Sequence, residues 1–486
     1  MTKHTHPRES PAARGVTRQR RLGPFSAAHA VVTAVILALV TIVAFEAMAL
    51  SAIMPAIATD LDAGGSYGLA FSALLTAQLV GIVVAGVWTE RHGPVPGMMA
   101  GQLLLAGGSV LCALAPNFAI FLTGRVIAGL GGGILLVLLY VVVGRSFDEH
   151  IRPRVFTLIS AAWIVPALVG GPVAAWITQH LGWRAVFWVL IPPILLTSVV
   201  ITAQARSRRG DLAPPATSPR DHRAHQQALR AGVIVAVSAG VMQFGSTHLS
   251  PPGNGAILAS VAGLVGVAIF APRLVPPGTW RCAHGLPSVL AGRALATASF
   301  FGGLTYAPLF LVRERHLGLA HAGLLVSAGS LGWSLGSFIQ GLSAFNGRRE
   351  RLVVIGGVLL SLSLGALALI AAVDLPTWLF IPVFVLGGTG MGLCVASQSV
   401  LALELVDTHE HGLVSSGLML SDVLGSVIGI ALASAVFAAG HGSQPTGATR
   451  YVVIWAGCAL VAAGIIVAGL RIGKDPATGR RTSVGA

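Results

Sequence analysis

Residues 30–54 read AVVTAVILALVTIVAFEAMALSAIM, with Glu46 the single charge in the run. A bilayer core is about 30 Å thick, so a helix rising about 1.5 Å per residue crosses it in about 20 apolar residues. Such a run is too long for most buried helices of a soluble domain. Thirteen more stretches of this kind follow, at 67–88, 98–115, 118–143, 155–178, 186–204, 231–247, 256–272, 287–311, 322–345, 352–373, 377–402, 412–439 and 451–470. The composition agrees: 54% of residues are hydrophobic and only 10% charged, with a mean hydropathy of +0.81. The expected fold class is all-α, a polytopic membrane protein with fourteen spans.

The hydrophilic segments divide the chain. Residues 1–29 read as a disordered tail, 30–204 as six spans, and 205–230, rich in Arg, Pro, Ser and His, as a flexible linker. Two additional spans occupy 231–286, six more 287–471, and 472–486 form a second tail. The net charge of +14 invites a nucleic-acid reading, but its distribution argues otherwise. With an even number of spans, both termini share one side of the membrane. Of the 31 Lys and Arg, Arg125 and Arg293 fall inside spans, Arg184, Arg313, Arg315 and Arg450 fall on the opposite side, and all others share the side of the termini. The positive-inside rule places both termini in the cytoplasm of a multi-pass cell-membrane protein. The charge then reports topology and attraction to anionic lipid, not nucleic acid. Residues 1–28 carry no cleavage-site pattern after a short apolar core, so no signal peptide is expected. Cys112, Cys394 and Cys458 lie in spans and Cys282 in a loop, a pattern that fits neither a disulfide framework nor a metal site.

Charges inside spans are the candidate chemistry. An ionised carboxyl at mid-span costs several kcal/mol, so Glu46 should be protonated or paired. Arg125 carries a cost of about 2.5–3.5 kcal/mol on insertion scales and should face the bundle interior, or else snorkel to an interface. Arg293 lies about a third of the way into the ninth span and Asp422 about ten residues into the thirteenth; their opposite signs invite a pair. Gln78, Trp163, Gln243, Trp333 and Gln340 are cavity candidates, although a buried glutamine also serves helix–helix hydrogen bonding. Both six-span groups have a glycine-rich fourth span, with Gly129, Gly131, Gly132 and Gly133 in one and Gly387, Gly388, Gly390 and Gly392 in the other. Small residues at this spacing let helix backbones approach closely. The second span of the first group ends at Gly86-Val-Trp-Thr-Glu90-Arg91-His-Gly93, and that of the last group is followed by Arg348-Arg349. The fifth span contains Pro166, Gly170, Gly171 and Pro172, which permit a bend that neighbouring helices re-satisfy.

These features resemble the major facilitator superfamily, in its 14-span drug:proton antiporter branch of actinobacterial-type multidrug efflux transporters. The branch pattern G-x-L-A-D-R-x-G-R-K is met by Gly86, Glu90, Arg91 and Gly93, with Pro94 and Val95 in place of the basic pair; Arg348 and Arg349 keep that pair in the second half, with Ala344 at the acidic position. Arg125, Gly129 and Gly131 match R-x-x-Q-G-x-G, with Ala128 for Gln. Glu46, Ser51 and Pro55 fall on L-D-x-T-x-x-N-x-A-L-P. Gly170, Gly171, Pro172 and the stretch Trp183-Arg184-Ala-Val-Phe187 approximate the antiporter motif and its W-R-x-x-F loop. The resemblance implies two six-helix bundles plus two extra spans, proton coupling through Arg125, and a cytoplasmic charge lock at Glu90, Arg91, Arg348 and Arg349. Glu46, Asp422 and Arg293 join Arg125 as proton-coupling candidates because they are the other charges inside spans. It implies proton-coupled efflux of a drug or antibiotic by a monomer, with protons, a small molecule and the bilayer as partners and with no cofactor or metal.

Two other readings stand beside this one. The first keeps the fold but moves a specific metabolite, by export or uptake. The second, a membrane enzyme acting on lipid-linked substrates, has only Asp60, Asp62, Glu314 and Asp374 scattered in its outward loops. No G-x-x-x-x-G-K-[ST] occurs, so an ion gradient is the expected energy source.

The topology is open to a direct test. Reporter fusions at Asp211 and Ser250 should report the cytoplasmic and the external side respectively. Equal signals from both would remove the two middle spans and leave twelve.

Overall fold

The computed structural model describes residues 24–26, 29–63, 66–147, 151–207, 219–247, 254–342, 348–406, 411–439 and 447–473; for some helical residues, Glu90 and Arg91 among them, only the backbone is described. The first six helices are α1 (Ala30–Asp60), α2 (Leu69–His92), α3 (Pro94–Ala113), α4 (Phe118–Ser146), α5 (Arg152–Leu181) and α6 (Trp183–Ser207). The extra pair is α7 (Pro219–Thr247) and α8 (Asn254–Phe270). The last six are α9 (Leu286–Arg313), α10 (Leu319–Gln340), α11 (Arg349–Ala372), α12 (Phe380–Glu404), α13 (His411–Ala439) and α14 (Gly447–Leu470). Each of the fourteen expected apolar stretches centres on one helix, the end of the tenth, 343–345, lying outside the described residues, and no strand occurs among the described residues. Twelve of the helices are long and apolar enough to cross a membrane by length and composition; α2, whose apolar run is Leu69–Ala85, and α7 are the other two.

The expected linker 205–230 is shorter than its composition implied. Helix α6 runs to Ser207 and α7 starts at Pro219. Proline at the first helical turn loses nothing there, and the following Ala, Gln, Leu and Arg are good helix formers, so charge alone did not prevent a helix. Charge-lock position Ala344 lies outside the described residues.

Within each six-helix group the packing repeats. Helix α1 packs on α5 and α6, α2 on α4, and α3 on α4 and α6. In the second group α9 packs on α13 and α14, α10 on α12, and α11 on α12 and α14. The glycines explain the closest crossings. A Cβ on Gly129 or Gly133 would run into the carbonyl oxygens of Leu74 and Gln78 on α2. A Cβ on Gly388 or Gly392 would meet the Gly329 and Trp333 carbonyls of α10 in the same way. Lipid tails are as apolar as leucine, so the helices gain by backbone approach and dispersion, and glycine makes that approach possible.

The two bundles meet at two equivalent seams, α5 against α10 and α13 against α2, and α1 approaches both α9 and α10. We call the membrane face where α1 begins and α14 ends the near face, and the opposite one the far face. Toward the far face both bundles share one buried cluster. Ala49, Leu50, Ile53, Ile57 and Tyr67 join Tyr306, Phe310, Phe437, Tyr451 and Trp455 in it. The near half of the first bundle has its own cluster, from Val35 and Ile36 through Leu135 and Leu139 to Ile194.

Substituting Gly133 or Gly392 with valine should destabilise the protein by about 3 kcal/mol, the upper end of ordinary overpacking, because the blocking atoms are backbone. Gly107→Ala and Gly365→Ala, where a Cβ meets open space, should be neutral. Thermal unfolding in detergent checks this: equal midpoints for both sets would mean that the glycines do not set the crossings.

Candidate functional site

Glu46 stands halfway along α1, flanked in the helix by Val, Ala, Phe45, Met and Leu. Arg125 stands in α4, four residues before the glycine run that presses α4 onto α2. That crossing turns Arg125 inward. Its Nη1 donates to Glu46 Oε1 at 2.7 Å, and its Nε donates to the Ala70 carbonyl of α2 at 3.2 Å. Arg125 is 2% exposed and Glu46 5%, so the pair is sealed from solvent and lipid. The snorkelling alternative for Arg125 is thereby excluded. A buried guanidinium cannot shed its proton, and here one carboxylate and one carbonyl meet it.

The second pair lies in the other bundle and toward the near face. Arg293 of α9 clasps Asp422 of α13 in a bidentate pair, through Nε to Oδ1 and through Nη2 to Oδ2 at 2.8 Å. Its Nη1 donates to the Val395 carbonyl at 2.6 Å and to Ser399 Oγ at 3.1 Å, both on α12. One side chain thus ties three helices. The Asp422 side chain keeps 32% of its surface accessible, in contrast to the sealed Glu46. Tyr140 of α4, in the opposite bundle, lies within electrostatic reach of both Arg293 and Asp422.

Above Glu46, toward the far face, aromatic side chains close the gap between bundles. The Tyr67 and Tyr306 rings lie 5.4 Å apart, and Tyr306 lies 4.7 Å from Phe437. The Tyr306 hydroxyl donates to Ser434 Oγ at 3.0 Å. Gly68 fits under this group only because it has no Cβ: one would strike Ser434 Oγ and the Tyr306 hydroxyl. Ala70, which holds Arg125, is two residues on, in the first turn of α2. The W-R-x-x-F stretch caps the same face: Trp183 Nε1 and Arg184 Nη1 both donate to Asp60 Oδ2, at 3.0 and 2.8 Å.

The remaining expected residues take varied places. Gly170 packs against Phe45 and Met48 of α1, and Gly171 against Ser327, Gly323 and Ala52 at the α5–α10 seam. Pro166 and Pro172 lie inside α5, which stays helical over its whole length. Gln78 is buried, with Gly132 of α4 beside its amide. Gln243 is buried at the α2 contact of α7, where Thr76 Oγ1 donates to its Oε1 at 3.3 Å. Trp333 stacks edge-on against Phe300 at 5.5 Å, Trp163 is 36% exposed, and the Gln340 Oε1 is buried. In the charge-lock motif, Gly86, Glu90 and Arg91 lie on the last turns of α2, and Gly93 takes the left-handed φ of 75° that lets α3 begin at once. Arg348 is exposed, and Arg349 Nη1 donates to Glu404 at the end of α12 at 2.8 Å. The sequence reading missed Tyr67, Tyr306, Ser434 and Phe437. One signal was available: the chain has only four tyrosines, and three of them join this far-face cluster.

Residues 36–430 match the sequence profile of the Major Facilitator Superfamily. A triacylglyceride transporter of Mycolicibacterium hassiacum is 27% identical over 400 residues, which cover 74% of this chain and 70% of that protein. A probable multidrug-efflux transporter of Mycobacterium tuberculosis is 25% identical over 431 residues, 84% of this chain and 88% of that one. Among solved structures, a POT family transporter in complex with a thioalcohol-conjugated peptide superposes with a TM-score of 0.68 at 15% identity, covering 92% of this chain and 96% of its own. A D-xylose–proton symporter gives 0.60 at 15% identity, covering 89% and 96%. The fold class expected from the apolar runs and the family expected from the motifs agree with these likenesses: the chain is a membrane transporter, not an enzyme, and belongs to the Major Facilitator Superfamily.

Proposed function

We propose that the protein is a proton-coupled exporter of drug-like or antibiotic small molecules, with its near face in the cytoplasm. The observation that carries the reading is the sealed Glu46–Arg125 pair, 2.7 Å apart and tied through Ala70 to the helix that closes the far face. A carboxylate buried with one guanidinium is bistable: it is ionised while the guanidinium is held against it, and it takes a proton when the two separate. Parting of Tyr67 and Gly68 from Tyr306 and Ser434 moves the start of α2, and with it the Ala70 carbonyl that Arg125 holds. Far-face opening thereby exposes Glu46 to outside protons; after the far face closes, opening of the near face lets water reach Glu46, the proton leaves to that water, and Arg125 re-forms the pair. Asp422, paired with Arg293 and partly accessible, is a second proton-coupling candidate on the near-face side. Each proton entering down about 100 mV supplies about 2.3 kcal/mol, enough for a substrate gradient well above tenfold. The names of the mycobacterial efflux relatives support the drug-like substrate class. Those of the triacylglyceride transporters favour a second reading, export of one apolar lipid.

Inverted vesicles separate these readings. Dyes, antibiotics and a labelled triacylglyceride are compared with and without an imposed proton gradient. Accumulation of several unrelated cations or apolar drugs that collapses with the gradient supports multidrug antiport. Accumulation of the lipid alone supports the second reading, and gradient-independent movement of every compound sinks the proton coupling.

Glu46→Gln keeps the shape and the hydrogen bond from Arg125 but cannot cycle a proton. Gradient-driven efflux should fall to background, while substrate exchange at equal concentrations persists. Undiminished driven efflux would remove Glu46 from the mechanism.

Arg125→Met strands the buried Glu46 carboxyl and should cost about 3–5 kcal/mol of stability. Adding Glu46→Gln should recover part of that loss, with a coupling of about 1–3 kcal/mol in the double-mutant cycle. Additive losses would mean that the two side chains do not act as a pair in the membrane.

A further inference from the structure

The internal repeat gives the protein two equivalent seams between its bundles, yet the α7–α8 hairpin lies against only one of them. Helix α7 packs on α2 of the first bundle and on α13 of the second, while α5 and α10 meet directly through Gly171 and Gly323. Its two contacts differ in kind. Toward α2 the surfaces interlock: a Cβ on Gly232 would strike Val83, and Thr76 donates to Gln243. Toward α13 the cluster is aliphatic, with Val235, Ala236 and Ala239 of α7 joined to Leu420, Val423, Leu424 and Val427, and Leu79 of α2 beside them. Helix α8 is locked onto α7 by three glycines: Gly245 faces Ser260, Gly263 faces Met242, and Gly266 faces Ser238.

A hydrogen bond and a close backbone fit hold one register, whereas dispersion between branched aliphatics is non-directional and tolerates sliding. We infer that the α7–α8 hairpin is a sliding seal: it is fixed to the first bundle through α2, glides on α13 as the bundles rock, and keeps lipid out of the α2–α13 seam throughout the cycle. The extra pair is thus a working part of the first bundle, and the α5–α10 seam alone opens toward the bilayer. The inference rests on rocking of the two bundles and not on the identity of the substrate.

The test uses disulfide and thiol-bridged variants of the full chain, in a background where Cys112, Cys282, Cys394 and Cys458 are replaced. The readout is alkylation of Ser434→Cys by a membrane-impermeant reagent added at the far face. Ser434 is 2% exposed in the closed state, so its labelling rate reports gate opening without any substrate. Val83→Cys with Gly232→Cys places the two Cβ atoms about 3.3 Å apart, close to the range of about 3.5–4.5 Å that a disulfide takes. This bond should leave the labelling rate within about twofold of the reduced protein. A short bis-thiosulfonate bridge between Ala239→Cys and Val423→Cys should slow labelling at least about tenfold, reversibly on reduction. Slowing by the α2–α7 bond, or unchanged labelling with α7 bridged to α13, would overturn the inference. Unsubstituted protein that exports none of the test compounds, while the cysteine variants label as expected, counts against the efflux reading and leaves this one standing.

Discussion

A guanidinium in the middle of a membrane-spanning bundle can neither lose its charge nor find water, and the arrangement around Arg125 answers that constraint. Glu46 supplies the opposite charge from α1, and the Ala70 carbonyl from α2 accepts a further hydrogen bond, so three helices converge on one side chain. Arg293 repeats the solution in the second bundle with Asp422, the Val395 carbonyl and Ser399. Replacing buried ion pairs by apolar residues often leaves stability unchanged or raises it, so such pairs are weak evidence for stability. In the proposed mechanism their value lies in having two states: a pair sealed in one arrangement of helices and parted in another couples a proton to a movement.

The internal repeat sets the geometry of the proposed movement. Glycines at matching places in α4 and α12 bring those helices onto α2 and α10, and the same six-helix packing arises twice. Two similar bodies joined at paired seams move most cheaply as rigid units, because packed cores shift between discrete arrangements and do not deform continuously. The far-face aromatic group around Tyr67 and Tyr306 crosses between the bodies, and it is reached from Arg125 in one step along α2. Gate and ion pair therefore share an element. The α7–α8 hairpin is the one departure from the repeat, and its unlike contacts with α2 and α13 make that departure informative.

Much of this was legible in the sequence. Apolar runs of bilayer length determine the helices, because a backbone in hydrocarbon must satisfy its own hydrogen bonds. Intramembrane charges are rare and costly, so Glu46, Arg125, Arg293 and Asp422 stood out before any contact was known. The glycine-rich fourth spans pointed to close helix crossings for the same reason. What the sequence could not decide was which residues meet across long separations. Glu46 and Arg125 are 79 positions apart, and Arg293 and Asp422 are 129 apart. The side on which a helical residue faces a neighbour depends on crossing angles that no local pattern encodes. Gln243 illustrates it: a polar residue in an apolar run serves equally as a cavity or a helix partner, and only the packing of α7 on α2 shows Thr76 donating to it. Tyr67, Tyr306 and Ser434 escaped notice because an aromatic or a serine in a span is ordinary, and only tertiary packing brings them together at the far face. Side-chain chemistry made the charged positions readable one at a time; pairing them required the three-dimensional arrangement of helices whose surfaces are all alike to lipid.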